Sequence, residues 1–223
     1  LAVSDMVPAG PDGQTLLGNS LRRAVAAQSI AKKLGQREVD EYFTAGLFLE
    51  VGLLARARDN LAAAAQVARL PAMDRVVFER AEQGTDHAVR GADLAKAFML
   101  PAELIEAVAL HHDPIMPEAP LAKVAWVAER VAAVWEGGDV SASQAEAARA
   151  LVALGMADRD VADILEKVPG LVSDGGHAFD REVGPQQGVD QLLHDVSRGL
   201  IEMNQSYESM VRRLETLLAE KEE

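Results

Sequence analysis

The chain contains no cysteine. Disulfides, zinc thiolates, iron–sulfur clusters and thiol nucleophiles are thereby excluded, and a reducing, cytoplasmic setting suits it. Aromatic residues make up only 4% of the 223 positions. Apolar content still reaches 49%, supplied mainly by Ala and Leu. These are the strongest helix formers, so a largely helical protein is expected. A basic excess is also missing. Against 35 Asp and Glu there are 22 Lys and Arg, giving a net charge of −13 and a pI near 4.8. That balance argues against nucleic acid as a partner. No apolar run approaches the roughly 20 residues of a membrane span. The first 13 residues carry no basic segment of a signal peptide, so no membrane partner is expected. Alternating strand patterns and internal repeats are lacking. So are HExxH, GxxxxGK, GxSxG and GxGxxG, so no local motif names a chemistry. No cofactor is expected.

What is present reads as a series of helices. Residues 1–13, with Pro8, Gly10, Pro11 and Gly13, are predicted to be an irregular lead-in. A helix follows from Thr15 to Lys33, with Arg22, Arg23, Lys32 and Lys33 expected to face outward. A second is predicted as one piece from Glu38 to Arg58, apolar through its middle except at Glu50. Further helices are predicted over Asn60–Leu70, Met73–Gln83, His87–Met99, Ala102–His112 and Leu121–Trp135. Thr85 or Asp86 is the expected cap of the His87 helix, and Ser141 or Ser143 that of a short helix ending at Leu154. Another helix starts at Asp158 and is expected to stop near Val168, before Pro169-Gly170 and a loop-like stretch to 187. Met99, Met116 and Met156 read as core filler.

The last segment carries a heptad seam. Leu193, Val196, Leu200, Met203, Tyr207, Met210, Leu214 and Leu217 are spaced 3, 4, 3, 4, 3, 4, 3. That spacing predicts a coiled-coil helix over 188–223 that pairs two copies of the chain, a homodimer, or else packs back on its own domain. It reaches Glu223 without a capping residue, and the chain starts at Leu1. Both ends are expected to be interruptions of a longer product.

Candidate chemistry is scattered. Glu50 lies in an apolar run, where a carboxylate must be paired or hydrogen-bonded. His87 starts a helix, His111 and His112 end one, and Glu129 lies in an apolar helix. Separate helices of a bundle can gather such residues into one core. Each also has a structural reading. His111 and His112 suit a helix C-terminus, and Glu50 suits a buried pair with Arg56 or with one of the histidines.

Five segments together resemble a known family. They are Asn19-Ser20 with its Ala-rich helix, Ala45 to Gly52, Glu79 to Leu94, Leu100-Pro101 through His111-His112-Asp113-Pro114, and Leu121 to Val131. In order and spacing they resemble the HDOD domain, a degenerate relative of the HD-type metal-dependent phosphohydrolases. The resemblance covers residues 14–183. It implies an all-α, HD-like helical bundle over 14–187, with the family's N-terminal half missing ahead of Leu1, followed by the long C-terminal helix. In catalytic relatives adjacent His and Asp hold metal where this chain has Leu49 and Glu50. A further His position is Asn19 here, and an Asp position is Glu129. The resemblance therefore implies a vestigial ring of Glu50, His87, His111, His112 and Glu129, with no metal and no catalysis expected. It further implies a bacterial signal-transduction module beside receiver or GGDEF domains, in cyclic-di-GMP signalling. The tail resembles linker helices that precede diguanylate cyclase domains. A phosphohydrolase with an altered ring, or a small-molecule sensor using the vestigial pocket, are the alternatives.

Overall fold

A computed structural model describes residues 10–182, with side chains described to Val172. The described residues form ten α-helices and no strand. The order is α1 Pro11–Lys33, α2 Val39–Phe48, α3 Val51–Asp59, α4 Leu61–Ala68, α5 Ala72–Gln83, α6 His87–Ala97, α7 Ala102–Leu110, α8 Pro120–Ala133, α9 Val140–Ala153 and α10 Asp158–Glu182. The expected all-α bundle is present. The seam from Leu193 to Leu217 lies outside the described residues. None of the ten helices is long and apolar enough to cross a membrane.

Helix α1 is the central rod. It packs on α2, α8, α10 and α4. Ala26, Ala27, Ile30 and Ala31 bury one stripe of it with Tyr42, Val127, Val131, Leu151, Ile164 and Val168. Leu16 joins a second cluster with α3 and α4 through Leu53, Leu54 and Val67. A third cluster holds α2, α3, α6, α7 and α8 together through Leu49, Leu104 and Val108. The polar centre lies where these clusters meet.

Four expectations are corrected. Helix α1 starts at Pro11, inside the predicted lead-in, because proline is pre-organised for the first helical position and lacks a donor there anyway. The predicted single helix Glu38–Arg58 is two. The chain breaks at Leu49–Glu50, with Glu50 at φ −92°, ψ 10°. Each half meets a different neighbour at a glycine: Gly46 abuts the α1 backbone at Arg23 and Ala24, and Gly52 abuts the α6 backbone at His87. The break lets both halves make their crossing. Asp139, not Ser141 or Ser143, caps α9, its side chain accepting from the Ala142 N–H.

The fourth correction concerns α10, which continues through Pro169 to Glu182 where a loop was expected. A proline inside a helix costs about 3 kcal/mol. Val161, Ile164 and Val168 are buried against the core, with Leu165 and Val172 partly so. At about 1.5–3 kcal/mol for each buried aliphatic side chain, that face outweighs the break.

Candidate functional site: a buried arginine–glutamate–histidine centre

Six segments supply the centre. Arg23 comes from α1 and Glu50 from the α2–α3 junction. Arg75 and Glu79 lie one turn apart on α5, and His87 opens α6. His111 caps α7 with His112 beside it, while Glu129 and Glu136 come from α8 and the turn after it. All of these are buried.

Arg23 holds the acidic half. Its Nε donates to Glu129 Oε2 at 2.5 Å and its Nη2 to Glu129 Oε1 at 2.8 Å. Nη1 and Nη2 donate to Glu136 at 2.7 and 2.8 Å. Nη2 also lies 3.0 Å from Glu50 Oε1. Arg75 completes the cluster, donating to Glu50 Oε1 at 3.2 Å and to Glu136 Oε2 at 2.7 Å. Arg75 also donates to the Ala68 and Leu70 carbonyls at the end of α4. The expectation that Arg23 faces outward is therefore wrong, since its side chain is completely buried. It is drawn in because Glu129 and Glu136 pair with it through both oxygens and Glu50 through one, replacing the partners that water would otherwise provide. Glu50 does not pair with Arg56. Arg56 reaches Glu79 instead, at 3.4 Å.

Charge states follow from this packing. Burial disfavours the Arg23 cation, but Glu129, Glu136 and Glu50 outweigh it and raise the pKa well above its ordinary value. Burial likewise opposes the Glu129 carboxylate, yet Arg23 holds its pKa well below the usual range. Glu50 is also lowered, with burial overcome by Arg23, His87 and Arg75.

The histidines form the other half. His87 sits at the N-terminus of α6, which Asp86 caps by accepting from the Val89 N–H at 2.9 Å. The His87 backbone N–H donates to Glu79 Oε2 at 3.0 Å, and ring Nδ1 lies 2.5 Å from the same oxygen. His111 Nδ1 lies 2.7 Å from the Val108 carbonyl, so it carries the proton there. Burial pushes the His111 pKa down to about 4. Burial, reinforced by His111, also pushes His112 well below its usual value. His87 moves the other way, because Glu50 and Glu79 overcome its burial. His87 Nε2 is 3.0 Å from His112 Nε2 and 3.3 Å from His111 Nε2. Arg130 fixes the end of α7 by donating to the carbonyls of His111 and Asp113, while its guanidinium lies over the Trp126 ring.

All five residues of the expected ring are thus brought together. Glu50, His87, His111 and His112 each offer a ligand atom within 4.8 Å of the others. Glu129 stands on the Arg23 side, its Oε1 3.9 Å from His112 Nε2. Asn19, at another position implied by the resemblance, is buried beside the centre and donates its amide to the Ala68 carbonyl, which also accepts from Arg75. Arg23, Arg75, Glu79 and Glu136 were missed by sequence reasoning. Arg23 had a signal, for it lies seven residues from both Leu16 and Ile30, which are buried on α1.

A centre of two metal ions does not fit these residues. Leu49 offers no lone pair, and both oxygens of Glu129 are held by Arg23. A single ion fits better, because Glu50 Oε2 and His112 Nδ1 are buried with no hydrogen-bond partner. A metal bound there would supply a Lewis acid.

No curated protein matches the chain. Among solved structures, a "putative phosphohydrolase" from Shewanella amazonensis SB2B is 26% identical with a TM-score of 0.51, covering 70% of this chain and 58% of that one. The MmoQ response regulator from Methylococcus capsulatus is 27% identical with a TM-score of 0.50, covering 68% of this chain and 60% of that one. An HDOD domain protein of unknown function from Geobacter sulfurreducens shares the fold at 21% identity and TM-score 0.51, covering 85% and 67%. The chain therefore spans about three fifths of the first two. The HDOD family profile matches residues 2–114, from α1 through the His111-His112 pair. The chain belongs to the HDOD domain family.

Proposed function

We propose that this chain is a non-catalytic regulatory domain that relays a conformational signal to other domains of its polypeptide. The observation that carries the reading is Arg23, whose guanidinium engages Glu50, Glu129 and Glu136 at once. Carboxylates committed to a buried guanidinium are withdrawn from holding a catalytic pair of ions or activating water. The likeness to a response regulator supports a signalling role. The relay would run through residues 188–223, pairing as a parallel or antiparallel homodimer and feeding an output domain such as a diguanylate cyclase.

Sedimentation of the full chain and of a chain ending at residue 188 tests the relay. A dimer that becomes a monomer on truncation is expected, and a monomer in both cases refutes the pairing. Incubation with cyclic-di-GMP and with nucleoside triphosphates, with added manganese or iron(II), tests the absence of catalysis. Turnover that is lost in Glu50→Gln would replace the relay reading with a phosphohydrolase.

A further inference from the structure

We propose that Glu50, His87, His111 and His112 bind one divalent transition-metal ion, and that Arg23 closes the neighbouring carboxylate side to a second. The ion belongs to the class that imidazole favours, such as zinc, cobalt, nickel or iron(II). This inference is independent of the relay reading.

Four observations carry it. First, ring nitrogens of three histidines from two segments converge with a carboxylate oxygen within 4.8 Å. Second, the tautomers are set from behind. His111 Nδ1 faces the Val108 carbonyl and His87 Nδ1 faces Glu79, so each neutral ring presents its Nε2 lone pair inward. His87 Nε2 lies 3.3 Å from His111 Nε2 and 3.0 Å from His112 Nε2, so the three ring nitrogens face one another around a point where a proton or a metal ion can sit. A carboxylate or carbonyl behind a ligating imidazole is the usual way a protein orients such a site.

Third, Glu50 Oε2 is buried and unpartnered although Oε1 touches both Arg23 and Arg75. A buried carboxylate oxygen left bare beside three imidazoles suits a ligand position. Fourth, the set is limited to one ion. Leu49 contributes no donor, Glu129 is saturated by Arg23, and Glu136 is shared among Arg22, Arg23 and Arg75. His112, 9% exposed whereas the other three ligands are 1% or less, is the ligand nearest solvent.

The competing electrophile is a proton shared among the rings, and the test separates the two. The full chain is stripped with a chelator near neutral pH, then titrated with Co²⁺ followed by visible absorption and with Zn²⁺ by calorimetry. One ion per chain, the intense visible bands of a low-coordinate cobalt site and a raised melting temperature are expected. His112→Gln and His111→Gln should abolish these signals, while His177→Gln/His194→Gln should leave them intact. Glu79→Gln keeps every ligand but replaces the carboxylate behind His87 by a neutral amide, and should weaken binding about 10–100-fold. Folding of each variant is checked by circular dichroism. If the histidine variants do not fold, the wild-type stoichiometry, its cobalt spectrum and the Glu79→Gln affinity decide the matter. No uptake by folded wild-type protein, two ions per chain, or unchanged affinity in Glu79→Gln would overturn the proposal. Loss of metal uptake would leave the sedimentation result untouched, so the two readings fail separately.

Discussion

Replacing Arg23 by Met should expose how the buried centre is held. Glu50 would keep Arg75, and Glu136 would keep Arg22 and Arg75. Glu129 would keep no hydrogen bond, because both come from Arg23, and His112 Nε2 stands 3.9 Å away. The penalty therefore concentrates on one stranded carboxylate. Breaking a buried pair from one side costs about 3–5 kcal/mol. For a domain of this size that is a drop of roughly 6–20 °C in melting temperature. Replacing both partners, Arg23→Met with Glu129→Met, removes the stranded charge along with its counter-ion. The double variant should recover about 2 kcal/mol or more relative to the sum of the singles, within the range seen for residues in contact. Urea denaturation of the chelated full chain measures all four corners of this cycle. A loss below about 1 kcal/mol in Arg23→Met, with no coupling to Glu129, would mean that the pair is screened like a surface ion pair. That result would refute the description of Arg23 as the organising cation.

Four further outcomes follow from local geometry. A Cβ at Gly52 would lie 2.1 Å from the His87 carbonyl oxygen, so Gly52→Ala should push α3 from α6 and destabilise by more than about 3 kcal/mol. A Cβ at Gly18 would meet nothing within 4 Å, so Gly18→Ala should stabilise by up to about 1 kcal/mol in urea denaturation. Met99 ends α6 at φ 55°, with the Leu100 N–H on the Ala95 carbonyl and its own N–H on that of Lys96. It is 84% exposed rather than core filler, so Met99→Gly should raise the melting temperature by relieving about 1 kcal/mol of left-handed strain. Asp86→Ala removes the cap of α6 and an Arg80 contact of 2.6 Å. It should cost about 1 kcal/mol and speed amide exchange in the first turn of α6.

Much of the fold could be read in advance because its punctuation is local. Gly84, Pro101 and Pro120 mark ends or starts that depend only on neighbouring residues. The break at Glu50 and the passage through Pro169 were not legible, since both are decided by what the segment packs against. The site divides the same way. Glu50, His87, His111, His112 and Glu129 stood out as polar residues in apolar surroundings or beside helix ends. Arg75 and Glu79 sit on a helix with other charged residues, and nothing local separates them from a solvated face. Arg23 finds Glu129 across 106 positions and Glu136 across 113. Such pairings are a property of how helices are stacked, and no window of sequence contains them.

Helix α1 joins two parts of the molecule with one stiff member. Arg23 anchors it in the polar centre, and about 10 Å further along, two helical turns away, Ile30 meets Ile164 and Val168 of α10. Under the proposed relay, an event that shifted α1 at the centre would be felt at its far end, on the helix leading toward the C-terminus. In that reading the rod would turn small changes among buried charges into leverage on α10. A polar core that stabilised little on balance would still be worth keeping, as the seat of a lever.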